Sequence, residues 1–180
     1  MLLYKDVISG DELISDAYSL KVVDDVVYEV NCDMVQIKPG EVDIGANPST
    51  EENEEILEDG VETVNNVIYS FRLVPTSYTK KDYQLYLKGY VKKLREHLQM
   101  NFPSRVEAFE KGVTTFVKKI LANFKDYEFY VGESMNPDGW FYLNRCVLMS
   151  VGMVVLLNYR EDGITPYMIF FKDGLKEEKL

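Results

Sequence analysis

The spacing of apolar and polar positions changes character four times along the chain. From Met1 to Gly45 short apolar runs such as Leu2–Tyr4 and Val26–Val30 alternate with Asp, Asn, Pro and Gly, a pattern that predicts strands joined by turns. Asn47–Thr63 carries seven acids and no base, with few large apolar groups to offset the entropy of ordering; it predicts a mobile acidic loop over 47–63. Val64–Val74 reads as a further strand. From Thr79 the period becomes helical: Tyr83, Leu87, Tyr90, Val91, Leu94 and Leu98 share one face, and Val106, Phe109, Val113, Phe116, Val117, Ile120 and Phe124 share another.

A break at Asn101–Pro103 makes these two helices an antiparallel hairpin over 79–125. Thr79 with Asp82, and Ser104 after Pro103 with Glu107, have the spacing of capping boxes. Gly89 and Gly112 each cost on the order of 1 kcal/mol inside a helix relative to Ala, so close packing is the expected reason for them. After Tyr127 the strand pattern returns at Glu128–Gly132, Val154–Tyr159 and Tyr167–Lys172, with turns at Asn136–Gly139 and Glu161–Gly163. Strands, a helical hairpin, then strands again describe an α+β fold with mainly antiparallel sheet, and disfavour βαβ winding.

The 180 residues, 46% hydrophobic, suit a single domain spanning 1–180. A formal charge of -10 argues against nucleic acid as a direct ligand, but the charge is unevenly placed. Thr79–Lys125 holds eleven Lys/Arg against four Asp/Glu, whereas the rest of the chain holds nine bases and 26 acids. Lys80, Lys81, Lys88, Lys92, Lys93 and Arg95, followed by Lys111, Lys118 and Lys119, read either as the wet side of an amphipathic hairpin or as a docking face for an acidic partner.

Cys32 and Cys146 fit no metal spacing, and His97 is the single histidine, so neither a zinc site nor a Ser/Cys–His catalytic arrangement can be assembled. His97 flanks the apolar stripe of a Lys-rich helix and reads as solvated. The loop Ile44-Gly45-Ala46-Asn47-Pro48-Ser49 lacks the Gly and Lys spacing of a phosphate cradle, and the acidic stretch does not match an EF-hand, so calcium binding there would be weak. With no apolar run of roughly 18 residues and no signal-like apolar core at the N-terminus, a cytoplasmic protein with reduced thiols and no membrane span is expected.

Two segments carry a resemblance. Ile44-Gly45-Ala46-Asn47-Pro48-Ser49-Thr50-Glu51-Glu52 and the stretch Phe124–Gly139, which includes Gly132 and Glu133, resemble the two signatures of the translationally controlled tumour protein family; Met1–Asp16 and Asn158–Lys179 are also similar to it. The resemblance implies an antiparallel β-tent like that of a small Rab-accessory protein, with a projecting helical hairpin. It further implies a non-enzymatic protein of the cytoplasm, partly cytoskeletal, associated with tubulin and microtubules through the helical region, with ribosomes and translation elongation factors, and with weak calcium. An alternative role attached to the family is regulation of a Rheb-like small GTPase, whose implicated glutamate corresponds to Glu12; a local cap or hydrogen bond beside Asp11 is the plainer reading of that residue. A helix-like partner motif of animal members is not carried over, because Val22, Val23, Val26 and Val27 favour strand around Leu20 and Asp25.

One segment departs from the family pattern. Trp140–Gly152 (WFYLNRCVLMSVG) is extra between the Asn-Pro-Asp-Gly turn and the following strand, and is far more apolar than a hairpin loop. Either it packs its apolar side on the sheet or offers it to a partner, or it is a short intron translated in frame, a reading that suits the intact motifs on both sides.

Overall fold

The computed structural model describes residues 1–37, 62–135 and 152–179. Eleven strands and three α-helices occur in these segments: β1 (Leu2–Asp6), β2 (Glu12–Ser15), β3 (Leu20–Val23), β4 (Val27–Asn31), β5 (Met34–Ile37), β6 (Glu62–Asn65), α1 (Asn66–Ser70), β7 (Val74–Thr76), α2 (Lys80–Asn101), α3 (Val106–Ala122), β8 (Glu128–Val131), β9 (Val155–Tyr159), β10 (Pro166–Phe171) and β11 (Leu175–Lys179).

All pairings among the described residues are antiparallel. The main sheet has the order β3-β4-β10-β9-β8-β7, a three-stranded sheet the order β11-β1-β2, and β5 pairs with β6. β9 and β10 are nearly continuous apolar runs, and Val155, Leu156, Leu157, Met168, Ile169, Phe170 and Phe171 are all buried, so both faces of these central strands are covered.

The helical hairpin supplies one cover. Thr79 Oγ1 accepts the Asp82 amide hydrogen at 3.2 Å and caps α2 as its spacing predicts. The buried face of α2 comprises Tyr83, Tyr86, Leu87, Tyr90, Leu94 and Leu98, and that of α3 Phe109, Val113, Phe116 and Ile120. Their rings meet those of the sheet, Tyr83 against Phe129 at 5.1 Å and Tyr90 against Phe171 at 5.8 Å between centroids. Tyr86 joins hairpin to sheet twice, donating to the Gly152 carbonyl at 2.8 Å and accepting from the Val154 amide at 2.8 Å.

Four expectations are corrected. Val64–Val74 is not one strand: Asn65 Oδ1 accepts from the Val67 and Ile68 amides at 3.0 and 3.3 Å, and this cap turns the chain into α1 between β6 and β7. Glu62 and Thr63, assigned to the acidic loop, belong to β6, while 47–61 lies outside the described residues. Ser104 caps nothing; Pro103–Arg105 is a turn of 3₁₀ helix and α3 begins without a side-chain cap, because Arg105 is drawn to Asp25 and Asp173. Of the two helical glycines only Gly112 is a close contact. A Cβ there would fall inside the van der Waals envelope of Val26, whereas none would meet a neighbour within 4 Å at Gly89.

Candidate functional site

Two regions bring together residues singled out from the sequence. The first is the outer side of the hairpin. Gln84, Leu87, Lys88, Val91, Lys92 and Arg95 on α2 face Glu110, Val113, Thr114, Val117, Lys118 and Leu121 on α3 across a groove of about 810 Å³. Its floor is apolar, and its rim carries four cations and one acid. The acid is engaged: Glu110 Oε1 accepts from Arg95 Nη1 at 3.4 Å. Lys111 pairs with Glu107 and Lys119 with Asp24, yet Lys80, Lys81, Lys88, Lys92 and Lys118 have no ion-pair partner among the described residues, and all are exposed.

Azimuth separates the predicted cations. With 3.6 residues per turn, Lys88, Lys92 and Arg95 lie within about 60° of one another on the groove side, while Lys93 lies roughly 140° round α2 from Lys88. Lys93 is half-buried and does not line the groove, so it stands apart from Lys88, Lys92 and Arg95. His97 is also half-buried rather than solvated. It lines a smaller cavity of about 390 Å³ with Tyr4, Tyr28 and Phe102, and its Nδ1 is buried without a hydrogen-bond partner among the described residues.

The second region is the loop between β1 and β2. Glu12 opens β2, with its side chain about half exposed, and its carboxylate pairs with Lys5 Nζ at 3.3 Å, which also holds Glu178 at 3.1 Å. Among the described residues Glu12 thus makes a cross-strand pairing and no local cap. Capping falls to its neighbours. Asp6, only 2% exposed, accepts from the amides of Ile8, Ser9 and Met153 at 3.1, 3.2 and 2.8 Å and from Ser9 Oγ at 2.8 Å, so its buried oxygens are satisfied by hydrogen-bond donors. Asp11 accepts from the Ser134 amide at 3.3 Å and Ser134 Oγ at 2.7 Å.

These contacts require glycine twice. A Cβ on Gly132 would run into Asp11, and one on Gly152 into Asp6 and Ser9. Gly132, a signature residue, is thus sterically tied to Asp11, while its neighbour Glu133 is exposed and pairs with Arg72 at 3.2 Å. Gly152, assigned by sequence to the atypical segment, is buried and belongs to the folded body. Ile44, Gly45, Asn47, Pro48, Ser49 and Glu51 lie outside the described residues, as do residues 140–151.

A third junction, between hairpin and sheet, escaped the sequence. Arg105 Nε donates to Asp173 at 2.8 Å, and its guanidinium also engages the carboxylate and carbonyl of Asp25. Asp25 receives Lys172 Nζ as well, at 2.7 Å. Hydrogen bonds from Arg105 and then Lys172 hold the Asp25 carboxyl down at about 2. Asp24 and Asp25 both have positive φ, 52° and 55°, as the tight β3–β4 turn requires, and that turn rests on α3.

Among the described residues no group of three or more His, Cys, Asp or Glu is placed to hold a metal ion, and no helix is long and apolar enough to cross a membrane. The Cys32 thiol is buried and pushed up to about 11, chiefly by desolvation, which removes its nucleophilic thiolate at neutral pH.

Comparison with known proteins gives a consistent result. The family model described as translationally controlled tumour protein matches residues 1–176. The translationally-controlled tumor protein homolog of Schizosaccharomyces pombe is 64% identical over 180 residues, covering 99% of each chain, and that of Candida albicans is 58% identical with full coverage of both. Among solved structures, the Schizosaccharomyces pombe protein superposes with a TM-score of 0.78 over the whole of both chains. The Caenorhabditis elegans protein, 33% identical, superposes with a TM-score of 0.69 over 100% of this chain and 99% of its own.

Proposed function

The chain belongs to the translationally controlled tumour protein family, and on that premise we propose that it is a non-enzymatic adaptor of the cytoplasm, serving protein synthesis through ribosomes and elongation factors and stabilising microtubules through its basic hairpin. The observation that supports the microtubule part is the set of exposed cations Lys88, Lys92 and Lys118 on the rim of the α2–α3 groove, with Lys80 and Lys81 at the start of α2, all without an ion-pair partner among the described residues. In a molecule of net charge -10 these cations would be expected to find internal acids. Without such partners among the described residues, they would attract an acidic surface such as that of tubulin, raising the association rate and imposing a dependence on salt.

Co-sedimentation with assembled microtubules at low and moderate salt tests this. The Lys88→Glu, Lys92→Glu, Lys118→Glu triple variant should lose binding, and Lys93→Glu, on the far side of α2, should retain it. Equal loss in both variants, or no loss in either, overturns the hairpin assignment. Weak calcium binding by the acidic stretch 47–63 is part of the same proposal; calorimetric titration showing no heat at millimolar calcium removes it.

The alternative reading, regulation of a Rheb-like small GTPase, draws on the exposure of Glu12 at the outer strand of the β11-β1-β2 sheet. A free carboxylate there could disturb a partner's magnesium or phosphate site, but only after release from Lys5. Glu12→Ala would abolish an effect on nucleotide release under this reading and leave microtubule binding untouched.

A further inference from the structure

The cations of the hairpin border an apolar trough, and this combination selects a partner more narrowly than charge does. We propose that the groove between α2 and α3 seats one helical turn-rich segment of a partner protein: an amphipathic α-helix of about three turns, with an apolar stripe flanked by Asp and Glu. This rests on the reading of the hairpin as a docking face and specifies what docks there.

Three observations carry the proposal. The facing rows Gln84–Arg95 and Glu110–Leu121 each span roughly 16 Å at 1.5 Å per residue, the length of eleven or twelve helical residues. Two antiparallel helices with Val91, Val117 and Leu121 half-buried between them present the seam that a third helix fills in a bundle, through apolar groups at i, i+3 or i+4, and i+7. Lys88 and Lys92 stand on one bank and Lys118 on the other, so acids on both sides of the guest's stripe would meet cations, and a basic helix would meet only Glu110, already held by Arg95. An extended acidic tail satisfies the banks but leaves the floor wet; a helix satisfies both.

The test uses two synthetic 14-residue peptides of identical Glu, Ala and Leu composition, one with leucines on a single helical face and one permuted so that no face is apolar. Fluorescence anisotropy with the full chain should show the striped peptide binding at least tenfold more tightly. The near-isosteric Val91→Thr, Val117→Thr double variant, checked for folding by circular dichroism, should cut that ratio at least threefold while keeping the salt dependence. Equal binding of the two peptides would overturn the groove while leaving the charged docking face standing. If neither peptide binds but microtubules co-sediment, the groove proposal fails alone; if microtubules also fail, both fall together. Tight binding that emerges only when Glu51, Glu52, Glu54 and Glu55 are replaced by Gln would give the groove to the chain's own acidic stretch and overturn the assignment to a partner.

Discussion

Alanine at Gly89 and alanine at Gly112 should move stability in opposite directions, although both glycines lie inside long amphipathic helices. Helix propensity favours each change by about 1 kcal/mol. At Gly89 nothing opposes it, because an added Cβ has no neighbour within 4 Å. At Gly112 the Cβ would penetrate Val26 Cγ2 and lie 3.6 Å from Val26 Cβ. Val26 is 1% exposed, sits beside the tight turn at Asp24–Asp25, and has a stiff β-branched χ1, so it cannot swing aside. Overpacking of this kind costs about 3 kcal/mol at the upper end of its usual range, leaving Gly112→Ala net destabilised by about 2 kcal/mol. For a chain of this size that is a fall in Tm of roughly 4–8 °C, against a rise of about 2–4 °C for Gly89→Ala. Urea and thermal denaturation followed by circular dichroism would measure both. Adding Val26→Ala to Gly112→Ala should show non-additive recovery, since the cavity and the intruding methyl coincide. A stabilised Gly112→Ala, or a double variant that is simply the sum of its parts, would refute the close contact.

Three further outcomes are expected. Because the folded Asp25 carboxyl lies at about 2, below its ordinary 3.8, its contribution is complete above pH 4 and is lost as pH falls towards 2; Asp25→Asn should flatten the acid limb of stability by no more than about 1 kcal/mol, given the exposure of the pair, and an unchanged limb in acid denaturation would count against the Arg105 junction. Cys32 should resist iodoacetamide at pH 8 in the native state and react on unfolding, as read by peptide mass spectrometry; rapid native labelling would contradict its burial. Mass spectrometry of the native protein should decide the status of Trp140–Gly152: a peptide running from Asn136 through Trp140 to Arg145 rules out the intron reading, and one joining the flanking motifs directly establishes it.

What was legible in the sequence follows from how local each cause is. The hairpin could be read because its 3.6-residue stripe and the Thr79 cap are properties of adjacent residues. The strands β4, β8, β9 and β10 announced themselves as β-branched or aromatic runs between turn residues. α1 did not, because five residues are too few to show a period and its one signal, Asn65, resembles any loop asparagine. Ser104 misled for the converse reason: a correct local spacing lost to Arg105, whose partners Asp25 and Asp173 are 80 and 68 residues away. The basic face was visible as a count of lysines, but its division at Lys93 needed the helix azimuth, and the groove needed the two helices side by side. Glu12 was noticed for a family reason, yet its bond to Lys5 arises from strand register, Lys5 standing opposite Glu12 across an irregularity after Tyr4.

The β1–β2 loop has a bearing on how the molecule tolerates change. Asp11 holds Ser134 and Asp6 holds Met153, so the chain leaving β8 and the chain entering β9 are fastened to the same short loop from a distant part of the sequence. Whatever number of residues joins those two points, the strands on either side inherit their register from the loop and not from the joining piece, and lengthening a closed connection adds only about 0.6 kcal/mol per doubling. The connection between Ser134 and Met153 is therefore a place where an experimenter should be able to graft an epitope or a fluorophore-binding tag with the β8–β9 ladder undisturbed.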